Sequence, residues 1–481
     1  MNTSDADLTA ATAQARRDLE RLLYPAADWV PAHDGPDGAP LLDVLVVGAG
    51  LCGQTAAFGL LRDGVRKLRL IDRAARGREG PWATVARMPT LRSPKHLSGP
   101  DLGIGSLTFR AWYEALHGAE GWQTLYKIPT LMWRDYLLWV RDTVGLPVEN
   151  HTALLALEAH GELLRAELAG ARGHETVFVR KVVLALGREG SGRLRWPSFP
   201  SFDPARLHGR VVHALSEFDL ARFAGQRVAV LGAGATAFDN AAALLEAGAA
   251  SATLFARRGH LPQVNKSKWT SFPGFFHGFA ALPDEARWRF LTYVFAEQAP
   301  PPHESVLRCD ALPGFALRLG EGWADLAVDE GGVIVTTSRG RERYDAAMLA
   351  TGFGVDMLQR PELAAFREQV LVWADRVPAA ESQTHTEAAH FPYLGPGFEL
   401  LARDPGTLPA ARHLHVFNWG AAMSHGQLAG DIPGLGIGVN RLVQAIARDL
   451  FVADEQRLYA ALLAHDEPEL KPTRWFVPAG R

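Results

Sequence analysis

Residues 41–53 read Leu-Leu-Asp-Val-Leu-Val-Val-Gly-Ala-Gly-Leu-Cys-Gly, a largely apolar run that ends in a Gly48-x-Gly50-x-x-Gly53 turn. The helical stretch QTAAFGLLRDG follows, and then a second strand, KLRLID. Strand, glycine turn, helix and strand form the unit from which parallel sheets are built. Gly48 permits the tight turn, Gly50 lets the backbone approach a pyrophosphate, and Gly53 lets helix and strand pack closely, with phosphates on the helix N-terminus. Asp72, 19 residues after Gly53 at the end of the second strand, is placed to accept hydrogen bonds from ribose hydroxyls.

The pattern returns at Gly232-x-Gly234-x-x-Ala237, within RVAVLGAGATAFDNAAALLEAG, and the strand SATLFARR comes next. Alanine at the third place is still small enough for close packing. Here the acid after the second strand is missing and Arg257-Arg258 stand in its place. A carboxylate there repels a 2′-phosphate and guanidinium groups pair with one, so this unit is expected to take NADPH rather than NADH. Lys266 and Lys268 follow within a few residues, either as part of the same phosphate site or as a solvated basic loop. Each unit is closed downstream by a short apolar strand ending in glycine, KVVLALG at 181–187 and AAMLATG at 346–352.

Composition narrows the function classes. The chain has 481 residues, too many for a lone binding module. With 50 Lys+Arg against 53 Asp+Glu there is no whole-molecule basic field to hold a nucleic acid. Cys52 and Cys309 are far apart, so the CxxC or CxxxxC pair of a dithiol reductase is absent, and no Cys/His spacing suits a metal. His413-x-His415 suits alternate positions of a strand. No signal-peptide h-region and no long uncharged apolar run occur, and a cytoplasmic protein without a membrane span is expected. Leu8, Ala11, Ala15, Leu19, Leu22 and Leu23 predict an amphipathic N-terminal helix over 8–24, followed by a linker, PAHDGPDGAP.

Between the two units lie Glu79-Gly80-Pro81-Trp82 and TLRSPKHLS. With GAGLCG, Asp72-Arg73, GAGATA and Ala350-Thr351-Gly352, the order of parts resembles the class B flavin-dependent monooxygenases, which include flavin-containing, Baeyer–Villiger and N-hydroxylating enzymes. The likeness spans about residues 40–450. It departs from the family at the signature between the units, where Leu207-x-Gly209-x-x-x-His213-x-x-x-Glu217 keeps glycine and histidine and alters both aromatic ends, with Phe218 one place late. His213 is either a packed histidine or a hinge residue.

The resemblance implies an α/β protein with two Rossmann-like dinucleotide-binding domains and the cofactors FAD and NADPH. Residues 1–39 are the arm and linker, 40–212 and 351–481 the FAD-binding domain, and 213–350 the inserted NADPH-binding domain. FAD would be held by Gly48, Gly50, Gly53, Asp72, Arg73, Gly80 and Trp82, and NADPH by Gly232, Gly234, Ala237, Arg257, Arg258 and Lys266. Thr351 is also expected at a cofactor. So are Asp431, Leu435 and Gly436, at the start of a late helix whose positive end faces the flavin ring in similar proteins; Asp431 is alternatively a simple cap. The implied reaction is oxygenation of a small organic substrate with O2 through a C4a-(hydro)peroxyflavin. Baeyer–Villiger type is the first expectation, with Arg308 as the cation for an anionic peroxide or else a surface salt bridge. N- or S-oxygenation is the alternative, and flavin reduction without oxygenation the second. Trp373, His425 and residues 384–398 fall where a substrate pocket is expected.

Overall fold

The computed structural model describes residues 3–470 and 473–475, except 98, 172, 205, 206, 208 and 405; the ends of the expected outer segments, 1–2 and 476–481, lie outside the described residues. The apolar run Leu41–Val47 is the central strand of the larger sheet. It pairs in parallel with Leu68–Ile71 on one side and with Gly173–Leu184 on the other. Buried on both faces, it has the near-continuous apolar sequence that parallel strands require. Leu163–Gly170 and Ala153–His160 extend the sheet antiparallel, and Leu414–Val416 adds a late parallel strand against Gly173–Leu184.

The second sheet is parallel throughout among the described residues. Its order is Phe315–Leu319, Ser251–Ala256, Arg227–Leu231, Ala346–Leu349, Val211–His213. A three-stranded antiparallel sheet, Trp323–Asp329, Gly332–Thr337 and Gly340–Tyr344, leads into its strand Ala346–Leu349. The two chain crossings between the sheets run side by side: Phe353–Val355 pairs antiparallel with Gly192–Leu194. Both strand-turn-helix-strand units read from the sequence are therefore present.

Two elements lie differently from the sequence reading. The N-terminal helix spans Thr3–Arg21 and stops short, because Leu23 takes a positive φ. Its Ala15 and Leu19 are buried in the larger core, and Thr12 Oγ1 accepts from Trp139 Nε1 at 2.9 Å, so the arm is part of the packed body. Pro273–Gly278, the short turn Phe279–Ala281 and Asp284–Glu297, expected within the inserted unit 213–350, put Phe275, Phe276, Phe279, Trp288 and Leu291 into the core of the larger sheet. Their apolar face is aromatic and meets Trp373 and Phe391 of the late segment. Among the described residues no helix is long and apolar enough to cross a membrane.

Candidate active site

The first cradle is built from backbone. Gly48 has φ +97°, and any Cβ there would meet the Ala185 carbonyl oxygen at 2.6 Å. A Cβ on Gly53 would lie 1.7 Å from the Gly48 oxygen, so the helix Leu51–Arg62 reaches the strand only because that side chain is absent. Gly50 caps this helix without a side-chain hydrogen bond, leaving its first N–H groups open to an anion. Asp72 is buried, and its two oxygens accept from Ala49 N (2.7 Å) and Ala74 N (2.8 Å). Burial raises its pKa, against the two backbone N–H groups, and each oxygen keeps a lone pair for a ribose hydroxyl.

Over this turn folds the loop that carries Gly80, whose Cα lies 3.7 Å from where a Gly50 Cβ would stand. Glu79 holds the loop from below. Its Oε1 accepts from Arg141 Nη1 and Asn150 Nδ2, both at 2.7 Å, and its Oε2 from Gly77 N at 2.6 Å. The Glu79 and Arg141 side chains are both buried. Trp82 packs edge-on against Trp133 and its Nε1 is buried with no partner among the described residues, a donor left for a ligand. Arg73 is exposed and paired with Glu189 at 2.7 Å.

The late helix Leu435–Ala453 lies against the first helix at Gly59, where a Cβ would meet Val443 and Val439 at 2.9 and 3.1 Å. The Cys52 thiol, on the first helix, is bonded to the Gly430 backbone and lies close enough to Asp431 to feel its charge. Asp431 Oδ1 accepts from Ile432 N at 2.9 Å. Asp431, Leu435 and Gly436 thus come beside the first cradle, and a Cβ on Gly436 would meet nothing within 4 Å. Open amides, an acid at the second strand and an orphaned indole donor fit the pyrophosphate, ribose and ring system of FAD.

The second cradle repeats the geometry. Gly232 has φ +127°, and a Cβ there would lie 2.6 Å from the Ala350 oxygen. Gly234 caps Ala235–Glu246 without a side-chain bond, and Ala237 is fully buried. Arg257 and Arg258 are exposed just beyond Ser251–Ala256. Arg258 donates to Ala296 O at 3.1 Å, whereas Arg257 has no ion-pair partner among the described residues. Lys266 begins a short helix with its ammonium over the Tyr293 ring, and Asn265 caps that helix by accepting from Lys268 N. An open helix N-terminus with an unpaired arginine at the next strand fits an NADPH pyrophosphate and 2′-phosphate.

Thr351 lies at the crossing between the sheets. Its hydroxyl donates to Arg195 O and faces His213 Nε2 at 3.3 Å. His213 Nδ1 accepts from Leu215 N at 3.2 Å, and burial pushes its pKa down to about 4. The histidine is thus packed and neutral, at the point where both chain crossings meet.

Sequence reasoning missed the side chains that join the cradles. Arg87 donates to Ala214 O (2.8 Å) and Ser216 O (3.2 Å) and lies over the Phe218 ring. Arg92 lies 3.9 Å from Asp239 on the second helix and also feels Asp431 and Arg188. Asp239 is buried and accepts from Ser305 Oγ at 2.6 Å. The available signal was several arginines in a Pro-rich stretch outside any glycine motif. Arg308, expected to hold an anion, is bound through two nitrogens to Glu246 and also contacts Arg87 O. Its helix, His303–Asp310, packs on Ala235–Glu246 and aims the guanidinium at that helix's last residue.

On the late segment, Trp373 is fully buried, stacks on Trp288 and donates to Ser424 Oγ at 3.2 Å. His425 is buried on the Phe398 ring, and its Nε2 donates to Gly395 O at 2.9 Å. His415 is buried against Gly397 O and His413 faces Glu162, so the two histidines point to different neighbours.

Comparison with known proteins agrees with this architecture. The family model described as pyridine nucleotide-disulphide oxidoreductase matches residues 42–271. The FAD-dependent urate hydroxylase of Xanthomonas campestris pv. campestris is 41% identical over 457 residues, covering 94% of this chain and 95% of that protein. Among solved structures, the ornithine hydroxylase of Pseudomonas aeruginosa superposes with a TM-score of 0.64 at 16% identity, covering 85% of this chain and 100% of its own. The L-lysine 6-monooxygenase of Pseudomonas syringae gives 0.61 at 15% identity, covering 85% and 99%. At such identities the solved structures speak for the fold.

Proposed function

The chain belongs to the class B flavin-dependent monooxygenases, and on that premise we propose that it hydroxylates urate or a closely similar anionic oxopurine with FAD, NADPH and O2. The observation that carries this reading is the end-to-end match to the Xanthomonas urate hydroxylase, 41% identical across 94% of this chain. That match includes the late segment and the aromatic helices as well as the two glycine turns.

Bound FAD, reduced by NADPH, supplies the activation of O2 that side chains cannot. The protein binds, orients and excludes water. The open amides after Gly50 would take the FAD pyrophosphate, Asp72 the adenosine ribose, and Trp82 Nε1 would donate into the same cradle. The positive end of Leu435–Ala453 would favour negative charge on the ring system beside it. Arg257 and Arg258 would receive the 2′-phosphate of NADPH. The buried, stacked pair of Trp288 and Trp373, with the partly buried Tyr393 edge-on to Trp373, would supply an apolar wall for the substrate. Overall, urate, O2, NADPH and a proton give the hydroxylated product, NADP+ and water.

Hydroxylation of an electron-rich ring carbon is electrophilic oxygen transfer, so it sides with the N- and S-oxygenating alternative. Baeyer–Villiger insertion calls for a cation over an anionic oxidant, and Arg308, the expected one, is already committed to Glu246. The test is steady-state NADPH oxidation by the holoenzyme with and without urate, with product mass and H2O2 measured. Urate should accelerate NADPH oxidation and yield a product heavier by one oxygen before further hydrolysis. NADPH consumption indifferent to urate, with all electrons recovered as H2O2, would overturn the reading.

A further inference from the structure

We propose that Arg441 is the anion-holding residue of the substrate subsite, and that it selects a planar heterocyclic monoanion; this rests on the hydroxylase reading above. Arg441 lies in the second turn of Leu435–Ala453, five residues beyond Gly436 and so about 7–8 Å along the helix from the open space at that glycine. It is partly buried, and both its described partners are neutral. Nη1 lies 3.0 Å from His425 Nδ1 and Nη2 lies 3.4 Å from Phe276 O. His425 Nε2 carries its proton toward Gly395 O, so Nδ1 presents a lone pair and accepts from Arg441. Burial first, and Arg441 next, hold that histidine well below its usual range, at about 3.

The other charges nearby are accounted for. Arg287, also felt by His425, is paired with Asp284, and Asp284 additionally binds Arg376 and the Tyr393 hydroxyl. Arg441 has no carboxylate partner among the described residues, and desolvation alone lowers its pKa. A partly buried cation is costly unless an anion meets it, and only two of its five N–H donors have acceptors here. Three further observations shape the missing anion. Gln427, 4% exposed, donates its carboxamide N–H to Ser267, which leaves Oε1 to accept from a ring N–H. Phe275 and Phe279 press on the bare backbone of Gly426, making an apolar aromatic wall for a flat ring. The positive end of the long helix adds its field in the same sense as Arg441. An oxopurine monoanion, with its charge spread over alternating carbonyl oxygens and nitrogens, has the acceptors that a guanidinium fork requires.

The experiment uses the FAD-loaded protein and its Arg441→Met and Arg441→Lys variants. Urate binding is followed by the change in oxidised-flavin absorbance, alongside KM and kcat for urate. Tetramethylurate, which cannot ionise at a ring nitrogen, is the control ligand. Arg441→Met should raise Kd and KM for urate by about 10-fold or more, with kcat changed far less and flavin content unchanged. The preference for urate over tetramethylurate should largely vanish, and Arg441→Lys should restore part of it. If Arg441→Met does not fold, as judged by thermal melting and flavin content, Arg441→Lys alone must still weaken urate more than tetramethylurate. Arg441 variants that bind urate as the parent does would overturn the proposal while leaving the hydroxylase reading intact. A parent enzyme that neither binds nor turns over urate would overturn both.

Discussion

The buried pair under the glycine loop offers a sharp test of how this protein holds its first cradle. Arg141→Met removes one partner of a 2.7 Å ion pair whose side chains are 8% and 4% exposed. Glu79 would then keep only Asn150 and the Gly77 amide for a buried charge. Removing one partner of a buried pair costs about 3–5 kcal/mol, far more than the net worth of the pair, because the other charge is stranded. Unfolding entropy of about 2 cal/mol/K per residue over 481 residues is about 1 kcal/mol per degree, so the apoprotein should melt about 3–5 °C lower. Because Glu79 anchors the turn that lays Gly80 over Gly50, flavin content of the purified variant should fall as well. The double variant Glu79→Gln/Arg141→Met removes both charges and should recover most of the loss. Differential scanning fluorimetry of the apoprotein and the flavin-to-protein absorbance ratio read both effects. If the double variant is no better than Arg141→Met, or if Arg141→Met keeps full flavin and full stability, stranded charge is not what holds the loop.

Two further outcomes follow from the same geometry. Arg257 is exposed, so its attraction to a 2′-phosphate sits near the high-dielectric limit of about 1 kcal/mol at 4 Å, raised to about 1–2 kcal/mol by a charge-assisted hydrogen bond. Arg257→Ala should therefore lower kcat/KM for NADPH about 5–30-fold and leave NADH within about 2-fold; equal effects on both would remove the 2′-phosphate role. His213 is neutral in the folded protein, with its pKa held at about 4 against 6.5 unperturbed. The unfolded chain therefore takes up the proton first, and the stability this histidine contributes is complete above 6.5 and lost as pH falls toward 4. Each pH unit in that window costs about 1.4 kcal/mol, so denaturant titrations at pH 6.5 and pH 5 should differ by about 2 kcal/mol less in His213→Asn than in the parent, and equal differences would refute this.

What the sequence revealed and what it hid divide along a physical line. Gly48, Gly53 and Gly232 were readable because a carbonyl oxygen stands where their Cβ would be, a constraint of local backbone that leaves its mark within a dozen residues. Asp72 was readable for the same reason, since its place at the end of the second strand follows from the unit itself. Arg308 had a suitable linear position, but its partner Glu246 lies 62 residues away and is brought near only by helix packing. The aromatic helices at 273–297 carry no motif, and which of the two cores their rings enter is decided only by tertiary packing. Arg441 was one more charge on an amphipathic helix; its lack of a carboxylate is a fact of tertiary structure.

The segment between the two glycine turns ties these scales together. Within residues 78–127, Glu79, Gly80 and Trp82 serve the first cradle, while Arg78 reaches Glu217, Arg87 reaches residues 214–218, Arg92 reaches Asp239, and Lys127 reaches Glu304. Beyond Gly80 and Trp82 no motif marks this stretch, yet its side chains contact both strand-turn-helix units. The two glycine turns are each built from local backbone, whereas their junction is built by this segment, whose ion pairs and arginine contacts tie the first strand-turn-helix unit to the strands and helices of the second.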